Sequence, residues 1–382
     1  MTGSILWRAR SDAPYLEVHR QGHGQGPQAV DSRWFSRSIL PMQTNPFRAA
    51  PIHRREFIGG LGILLATTAV ASRTAVAGGN AEAGKNDAGI PLRVLGRTQE
   101  KITILGLGTA PVGHSKPGAE NGVPVYRAAL EAGINYVDTA HLYDDAEAYL
   151  GELMPGWRDR IFLVTKAAPR SSDPRAAARD MQQQFDRSLR LLKTDHVDLL
   201  HVHSVGDKPP EMILAPGGPM DFVRKMKETG KTRFIGITGH NRAPRFIDLI
   251  NTGEVDALMV VLNFADDNLY QFEEELLPVA RRHRCGILAM KVFGGHSGGF
   301  AGYRRRGPAK MPAALLEKSM RYSLGIEGVA GAVIGPYTVE EVKQNVEWAK
   351  RWNPLPPEER ASLREEGKKL AAVWGPRFGP AA

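Results

Sequence analysis

Asp138, Tyr143, Lys166 and His203 are side chains of the kinds that hold, lend and steer a proton. Asp138 stands near the end of Ile134-Asn135-Tyr136-Val137-Asp138-Thr139-Ala140, and Tyr143 follows it by five positions at the start of a helical pattern. Lys166 ends Ile161-Phe162-Leu163-Val164-Thr165-Lys166, and His203 ends Val197-Asp198-Leu199-Leu200-His201-Val202-His203. A phenol titrates near 10 and is a poor acid near neutrality unless its anion is stabilised. A nearby ammonium favours the phenolate, so Lys166 is expected to lower the pKa of Tyr143. Asp138 would keep Lys166 charged in apolar surroundings. His203 would donate a hydrogen bond to an oxygen on which charge develops. Singly, such an Asp caps a helix, a Tyr packs, a Lys is solvated and a His is a satisfied polar group. Their shared place at successive strand ends carries the catalytic reading.

Side chains alternate along a strand, so Ile134, Tyr136 and Asp138 share a face, as do Phe162, Val164 and Lys166, and Leu199, His201 and His203. The polar ends would crown apolar interior layers. His201, one layer below His203, reads as a packed interior histidine.

These runs belong to a longer rhythm. Strands are expected at 104–109, 134–140, 161–166, 197–203, 232–238, 257–263, 286–293 and 331–335. Helices are expected at 123–132, 146–154, 174–192, 221–228, 243–251, 270–283, 313–324 and 339–351. Eight alternating units argue for a parallel sheet closed into an α/β (β/α)8 TIM barrel, whose site lies at the C-terminal ends of the strands. A hairpin over 92–105 precedes the barrel, and an extra helix over 358–374 follows it. A doubly wound open sheet would want a glycine fingerprint after the first strand, and Gly106-x-Gly108 lacks the third glycine.

The 382 residues are 42% hydrophobic and 24% charged, ordinary for a globular chain. The net charge of +9 does not point to nucleic acid: residues 1–77 hold nine Arg, no Lys and four acids, so +5 lies there and +4 in the remainder. No basic stripe with interleaved aromatics occurs. The single cysteine, Cys285, excludes intramolecular disulfides and multi-thiolate clusters, and reads as a buried, unreactive thiol.

His53-Arg54-Arg55-Glu56-Phe57-Ile58-Gly59 opens a weakly apolar stretch over 57–70, and Ala75-Val76-Ala77 offers a cleavage site. That stretch is shorter than a bilayer span. Paired arginines before such a core resemble a twin-arginine signal, which implies the twin-arginine export machinery, a folded cargo and a periplasmic destination. The expected division is 1–52 extension, 53–77 signal peptide, 78–91 linker, 92–352 barrel and 353–382 C-terminal helix and tail. Met42 would be a more usual start than Met1. No stable membrane span is expected in the mature protein.

Residues 92–350 resemble the aldo-keto reductase family. The resemblance rests on the four residues above, on Leu95-Gly96-Arg97-Thr98, Gly106-Leu107-Gly108-Thr109 and Ala132-Gly133-Ile134-Asn135-Tyr136-Val137-Asp138-Thr139-Ala140, and on Gly230-Lys231-Thr232-Arg233-Phe234-Ile235-Gly236-Ile237 and Asn345. It implies an oxidoreductase that uses NADP or NAD to reduce a small aldehyde or ketone to an alcohol, or the reverse, by hydride transfer, with Tyr143 as general acid and base beside Asp138, Lys166 and His203. It implies cofactor contacts at Gly108, Thr109, Thr238, Gly239, His240, Asn263, Gly335, Glu341, Gln344 and Asn345. Thr238-Gly239-His240 stands where Ser-Asn is usual in the family, and Met259 where a glutamine is usual. After the last strand no cation stands at the places usual for a 2′-phosphate, and Glu340 and Glu341 are acidic. NAD is therefore expected to be preferred.

Two other readings remain open here. Asp138, Lys166, His201, His203 and His240 suit a metal-dependent barrel hydrolase. The altered cofactor positions suit a non-catalytic, ligand-sensing barrel. Substrate choice is expected from segments 111–123, 206–219 and 294–311 and the C-terminal tail. Arg304, Arg305 and Arg306 read as a solvated basic loop.

Overall fold

The computed structural model describes residues 82–381. The extension and the export signal expected over 1–77 lie outside the described residues.

A three-stranded antiparallel sheet, β1 (Glu82–Lys85), β2 (Pro91–Val94) and β3 (Lys101–Thr103), precedes the barrel. Eight strands then close on themselves: β4 (Leu105–Gly108), β5 (Tyr136–Asp138), β6 (Phe162–Ala167), β7 (Val197–Val202), β8 (Thr232–Gly239), β9 (Ala257–Val261), β10 (Gly286–Met290) and β11 (Val329–Ile334). Every neighbour in the ring is parallel, and β11 pairs with β4 to complete it. The strands are short and buried on both faces because helices cover the outside and side chains fill the inside. The expected (β/α)8 barrel is therefore the fold.

The expected linker over 78–91 differs: β1 occupies part of it. Asn86 fastens the turn, accepting from the Ile90 amide at 2.9 Å and donating to the Gly133 carbonyl at 2.7 Å. The hairpin seals the N-terminal end of the barrel. Leu95 is fully buried against Gly286 at the start of β10, where a Cβ would stand 2.5 Å from the leucine methyl carbon. Arg93, also buried, donates to the carbonyls of Leu324 and Val329 at 2.8 Å each.

Two expected helices are broken. The one over 146–154 stops at Gly151, and a separate turn follows over Met154–Trp157, with Pro155 in its first turn. The one over 270–283 becomes three short pieces, Asp267–Tyr270, Phe272–Glu275 and Leu277–Arg282. Gln271 takes a left-handed φ of 53°, and Pro278 has no amide hydrogen to continue the ladder. Hydrophobic periodicity survives such breaks, so the pattern alone reads as continuous helix.

Inside the barrel Tyr136 and His201 are fully buried. Each lies against a strand glycine: a Cβ on Gly106 would stand 2.8 Å from the Tyr136 ring, and one on Gly236 would stand 2.3 Å from His201 Nδ1. Burial and the nearby Lys166 charge hold the His201 imidazole well below its ordinary range, so it is neutral. Cys285 is buried too, its thiol pushed up to about 11 by burial.

The helix Pro357–Trp374 crosses back over the barrel, and the tail beyond it is tied down. Arg377 forks onto both oxygens of Asp266 at 2.7 Å and donates to the Gly294 carbonyl at 2.7 Å, while the Phe378 amide donates to Tyr270 Oη at 2.8 Å.

Candidate active site

Asp138 is the last residue of β5, Lys166 the last but one of β6, and His203 follows β7 directly. The register pairs Asp138 with Val164 and Lys166 with His201, so these ends meet at the C-terminal mouth. The Lys166 ammonium, fully buried, donates to Asp138 Oδ2 at 2.6 Å, to the Thr139 carbonyl at 2.8 Å and to Tyr143 Oη at 3.2 Å. The Tyr143 and His203 rings meet edge to face, with centroids 6.1 Å apart.

The electrostatics correct one expectation. Burial holds the Tyr143 phenol well above its ordinary range, the Asp138 charge raises it further, and Lys291 opposes both. Burial and the Asp138 charge prevail although the Lys166 ammonium stands 3.2 Å from the phenol oxygen. Burial pulls Asp138 and Lys166 each toward its neutral form while each partner resists, and the 2.6 Å contact with a second acceptor on the ammonium is the geometry of an ion pair. His203 is held far below its ordinary range by burial and Lys166, and is a neutral imidazole.

Asp138, Tyr143 and His203 line a cavity of about 830 Å³, and Lys166 is buried behind them. Of the residues expected on the cofactor side, Gly108, Thr109, His240, Gly335, Glu341, Gln344 and Asn345 line it. Thr238, Gly239 and Asn263 do not. The Thr238 hydroxyl points into the sheet and donates to the Met259 carbonyl at 2.8 Å. Gly239 lies against Phe246 and the Val205–Gly206 backbone. Asn263 is fully buried and accepts from the amides of Ala265 and Asp266 while donating to Asp266 Oδ2 at 2.7 Å and the Lys291 carbonyl at 2.9 Å. It builds a turn. His240 lines the wall as a neutral imidazole lowered to about 3, chiefly by burial, with Phe378 packed 5.2 Å from its ring.

Of the segments expected to shape the mouth, 294–311 supplies much of the wall and 206–219 supplies none. Arg304, Arg305 and Arg306 are exposed, and Arg306 also borders the cavity. Among the described residues no group of three or more His, Cys, Asp and Glu side chains could hold a metal ion. The metal-hydrolase reading thus finds no donor set there.

Lys291 was not among the expected residues. It follows β10 directly and lines the cavity, its ammonium 2.5 Å from Tyr303 Oη. Reading the seventh strand as far as Phe293 places Lys291 inside the strand; ending it at Met290 makes Lys291 a strand-end polar residue like Asp138 and Lys166. Tyr303, His296 and Tyr337 form an aromatic cluster beside it, with His296 and Tyr303 centroids 4.2 Å apart.

The model of the "Aldo/keto reductase family" matches residues 104–362. An L-galactose dehydrogenase of Arabidopsis thaliana is 28% identical over 284 residues, covering 67% of this chain and 87% of its own length. A pyridoxal 4-dehydrogenase of Microbacterium luteolum is 23% identical over 337 residues, covering 72% and 97%. Among solved structures, an aldo/keto reductase from Klebsiella pneumoniae in complex with NADP and acetate superposes with a TM-score of 0.57 at 25% identity, covering 72% of this chain and 95% of that one. The family match spans well over half of the sequence and the barrel just described: this chain belongs to the aldo/keto reductase family.

Proposed function

We propose that this cavity reduces an aldehyde or ketone to an alcohol, or runs the reverse, with Tyr143 as proton donor and acceptor. The observation that carries the reading is the contact of 3.2 Å between Lys166 Nζ and Tyr143 Oη, where Tyr143 and His203 both line the cavity. The residues fit a nicotinamide dinucleotide. The volume is that of a ligand site. Gly335, Glu341, Gln344 and Asn345 line it, and the Asn345 side chain makes no hydrogen bond among the described residues. A reduced nicotinamide, when bound, supplies a hydride.

Tyr143 keeps its proton at neutral pH because burial and Asp138 disfavour the phenolate. An alkoxide is more basic than a phenolate, so the proton moves only as charge grows on the substrate oxygen. Lys166 then meets the new phenolate with an ammonium already in place, and Asp138 holds that ammonium still. His203 meets the Tyr143 ring edge to face and lines the same cavity, where it orients the oxygen. Replacing Tyr143 by Phe should lower kcat by about 10²- to 10⁴-fold, the usual worth of a general acid. Nucleotide affinity, read by tryptophan fluorescence, should stay nearly unchanged. Unchanged turnover would reject the assignment.

NAD is the nucleotide we favour. Glu341 lines the cavity and its carboxylate accepts from the Tyr337 amide at 2.6 Å. A carboxylate repels a 2′-phosphate and can bond a free 2′-hydroxyl. Side-by-side titration with NAD and NADP tests this, and tighter NADP binding would reject it.

The arginine pair at 54–55 supports export of the folded protein to the periplasm with nucleotide already bound. Protein purified from an exported fraction should release nucleotide on denaturation; an empty supernatant would count against it.

A further inference from the structure

Glu147 is 1% exposed and does not line the cavity. Fully buried carboxyls are rare unless something holds them. The hydroxyl of Thr165, itself fully buried, donates to Glu147 Oε1 at 2.6 Å. Oε2 has no hydrogen-bond partner among the described residues. Burial raises the pKa of the carboxyl, and the Thr165 hydroxyl opposes the rise. Two apolar residues would fill this place at less cost, so packing does not explain the pair.

Both partners are tied in sequence to the proton donor and its cation. Glu147 stands four residues after Tyr143, and Thr165 stands one before Lys166. Side chains alternate along a strand, so β6 sends Lys166 into the barrel and Thr165 outward. The segment 143–147 is thus bonded to one strand on both of its faces. Tyr143 Oη accepts from Lys166 Nζ at 3.2 Å on the inside, and Glu147 accepts from Thr165 on the outside.

Within itself the segment is weakly held. The helix Ala146–Gly151 has six residues, too few to persist on its own backbone bonds. Asp145 at its start makes no side-chain cap. Asp144 takes a left-handed φ of 45°, which is strained for a residue with a Cβ. Its carboxylate pairs with His114 at 2.9 Å, on the helix Ala110–Ser115 rather than on β6. Sterics limit how near the backbone comes: a Cβ on Gly113 would stand 2.2 Å from the Tyr143 carbonyl oxygen, and one on Gly151 would stand 2.0 Å from that of Leu191. Apart from the Tyr143 contact with Lys166, the Thr165–Glu147 bond is the one side-chain hydrogen bond among the described residues that joins 143–151 to β6.

We infer that Glu147 and Thr165 are positioning residues that set the distance between Tyr143 Oη and Lys166 Nζ. This rests on the carbonyl-reducing reading above, in which Tyr143 gives the proton. A general acid works within hydrogen-bond reach, and a displacement of about 1 Å costs on the order of 10²-fold in rate. The bond needs only an acceptor at 147 and a hydroxyl at 165, so Gln and Ser serve in those places.

Wild type, T165V, T165S and E147Q are compared in kcat with benzaldehyde, nucleotide Kd and denaturant stability, and T165V is repeated in a Y143F background. T165V should lower kcat by about tenfold to a hundredfold while nucleotide Kd stays within about twofold. T165S and E147Q should stay within about threefold of wild type in kcat. With the phenol gone there is nothing to position, so T165V should change the residual kcat of Y143F by less than about threefold. An unchanged kcat in T165V overturns the inference. Equal falls in both backgrounds overturn it too, because they mark a general defect of the fold. An E147Q that falls as far as T165V also overturns it, because charge and not the bond would then act. If T165V strands the carboxyl and does not fold, T165V/E147L, which leaves neither partner unpaired, replaces it under the same expectations. If Y143F leaves turnover intact, the proton-donor reading has failed. In that case, or if wild type does not reduce benzaldehyde, crystal structures of wild type and the folded variant decide. A lengthened Lys166 Nζ to Tyr143 Oη distance supports the inference, and an unchanged one overturns it.

Discussion

Lys166 Nζ lies 2.6 Å from Asp138 Oδ2 and 3.2 Å from Tyr143 Oη, and the shorter contact governs the longer. With Asp138 ionised, the ammonium persists in a site from which water is excluded, and a phenolate formed at Tyr143 meets a fixed cation. The carboxylate also acts directly on the phenol and raises its pKa. Asp138 therefore does two opposed things, holding the cation and resisting the anion.

Replacing Asp138 by Asn tests the first. The variant keeps the shape and leaves the buried Lys166 without its counter-ion. Breaking one side of a buried pair costs about 3–5 kcal/mol, and a denaturant titration should find a loss of that order. Turnover should fall as Lys166 shifts toward its neutral form. A fully stable variant would show that the ammonium has other support.

The raised pKa of Tyr143 has opposite consequences in the two directions. Reduction needs the phenol, which stays protonated, so kcat for a carbonyl should not fall between about pH 6 and pH 9. Oxidation needs the phenolate, so kcat for an alcohol should climb with pH without reaching a plateau in that range. Reduction that fell with an apparent pKa under about 8 would show an acidified phenol instead.

Glu341 should set nucleotide choice. Converting it to Gln removes a charge while keeping a group able to accept from the Tyr337 amide, as Glu341 does at 2.6 Å. The ratio of NADP to NAD affinity should rise by about fivefold, the worth of one partly screened charge. No change in that ratio would place the 2′ position elsewhere.

Arg377 to Met should loosen the tail. Asp266 has no exposed side-chain surface and accepts both forks of Arg377, so the variant strands a buried carboxylate. A loss of about 3 kcal/mol is expected. Phe378 would leave the His240 ring, and KM for carbonyl substrates should change more than KM for nucleotide. Equal shifts in both would show that the tail closes over the whole cavity.

Asp138, Lys166 and His203 could be read from the chain because each lies at the end of a run of β-branched and apolar residues, and strand ends in a parallel barrel converge on one rim. That inference needs only neighbours in sequence. Lys291 obeys the same rule and was missed because Val292 and Phe293 extend the apolar run past the point where pairing stops at Met290. Asn263 shows the converse. Its position suggested a ligand contact, yet its hydrogen bonds run to Ala265, Asp266 and Lys291. Periodicity and residue type are local, and they specify strands, helices and the order of groups around the mouth. The sign of the Tyr143 shift, the inward turn of Thr238 and the contact of Lys291 with Tyr303 depend on burial and on distances between segments apart in the chain. Those quantities exist only once the barrel has closed and buried the Asp138–Lys166 pair.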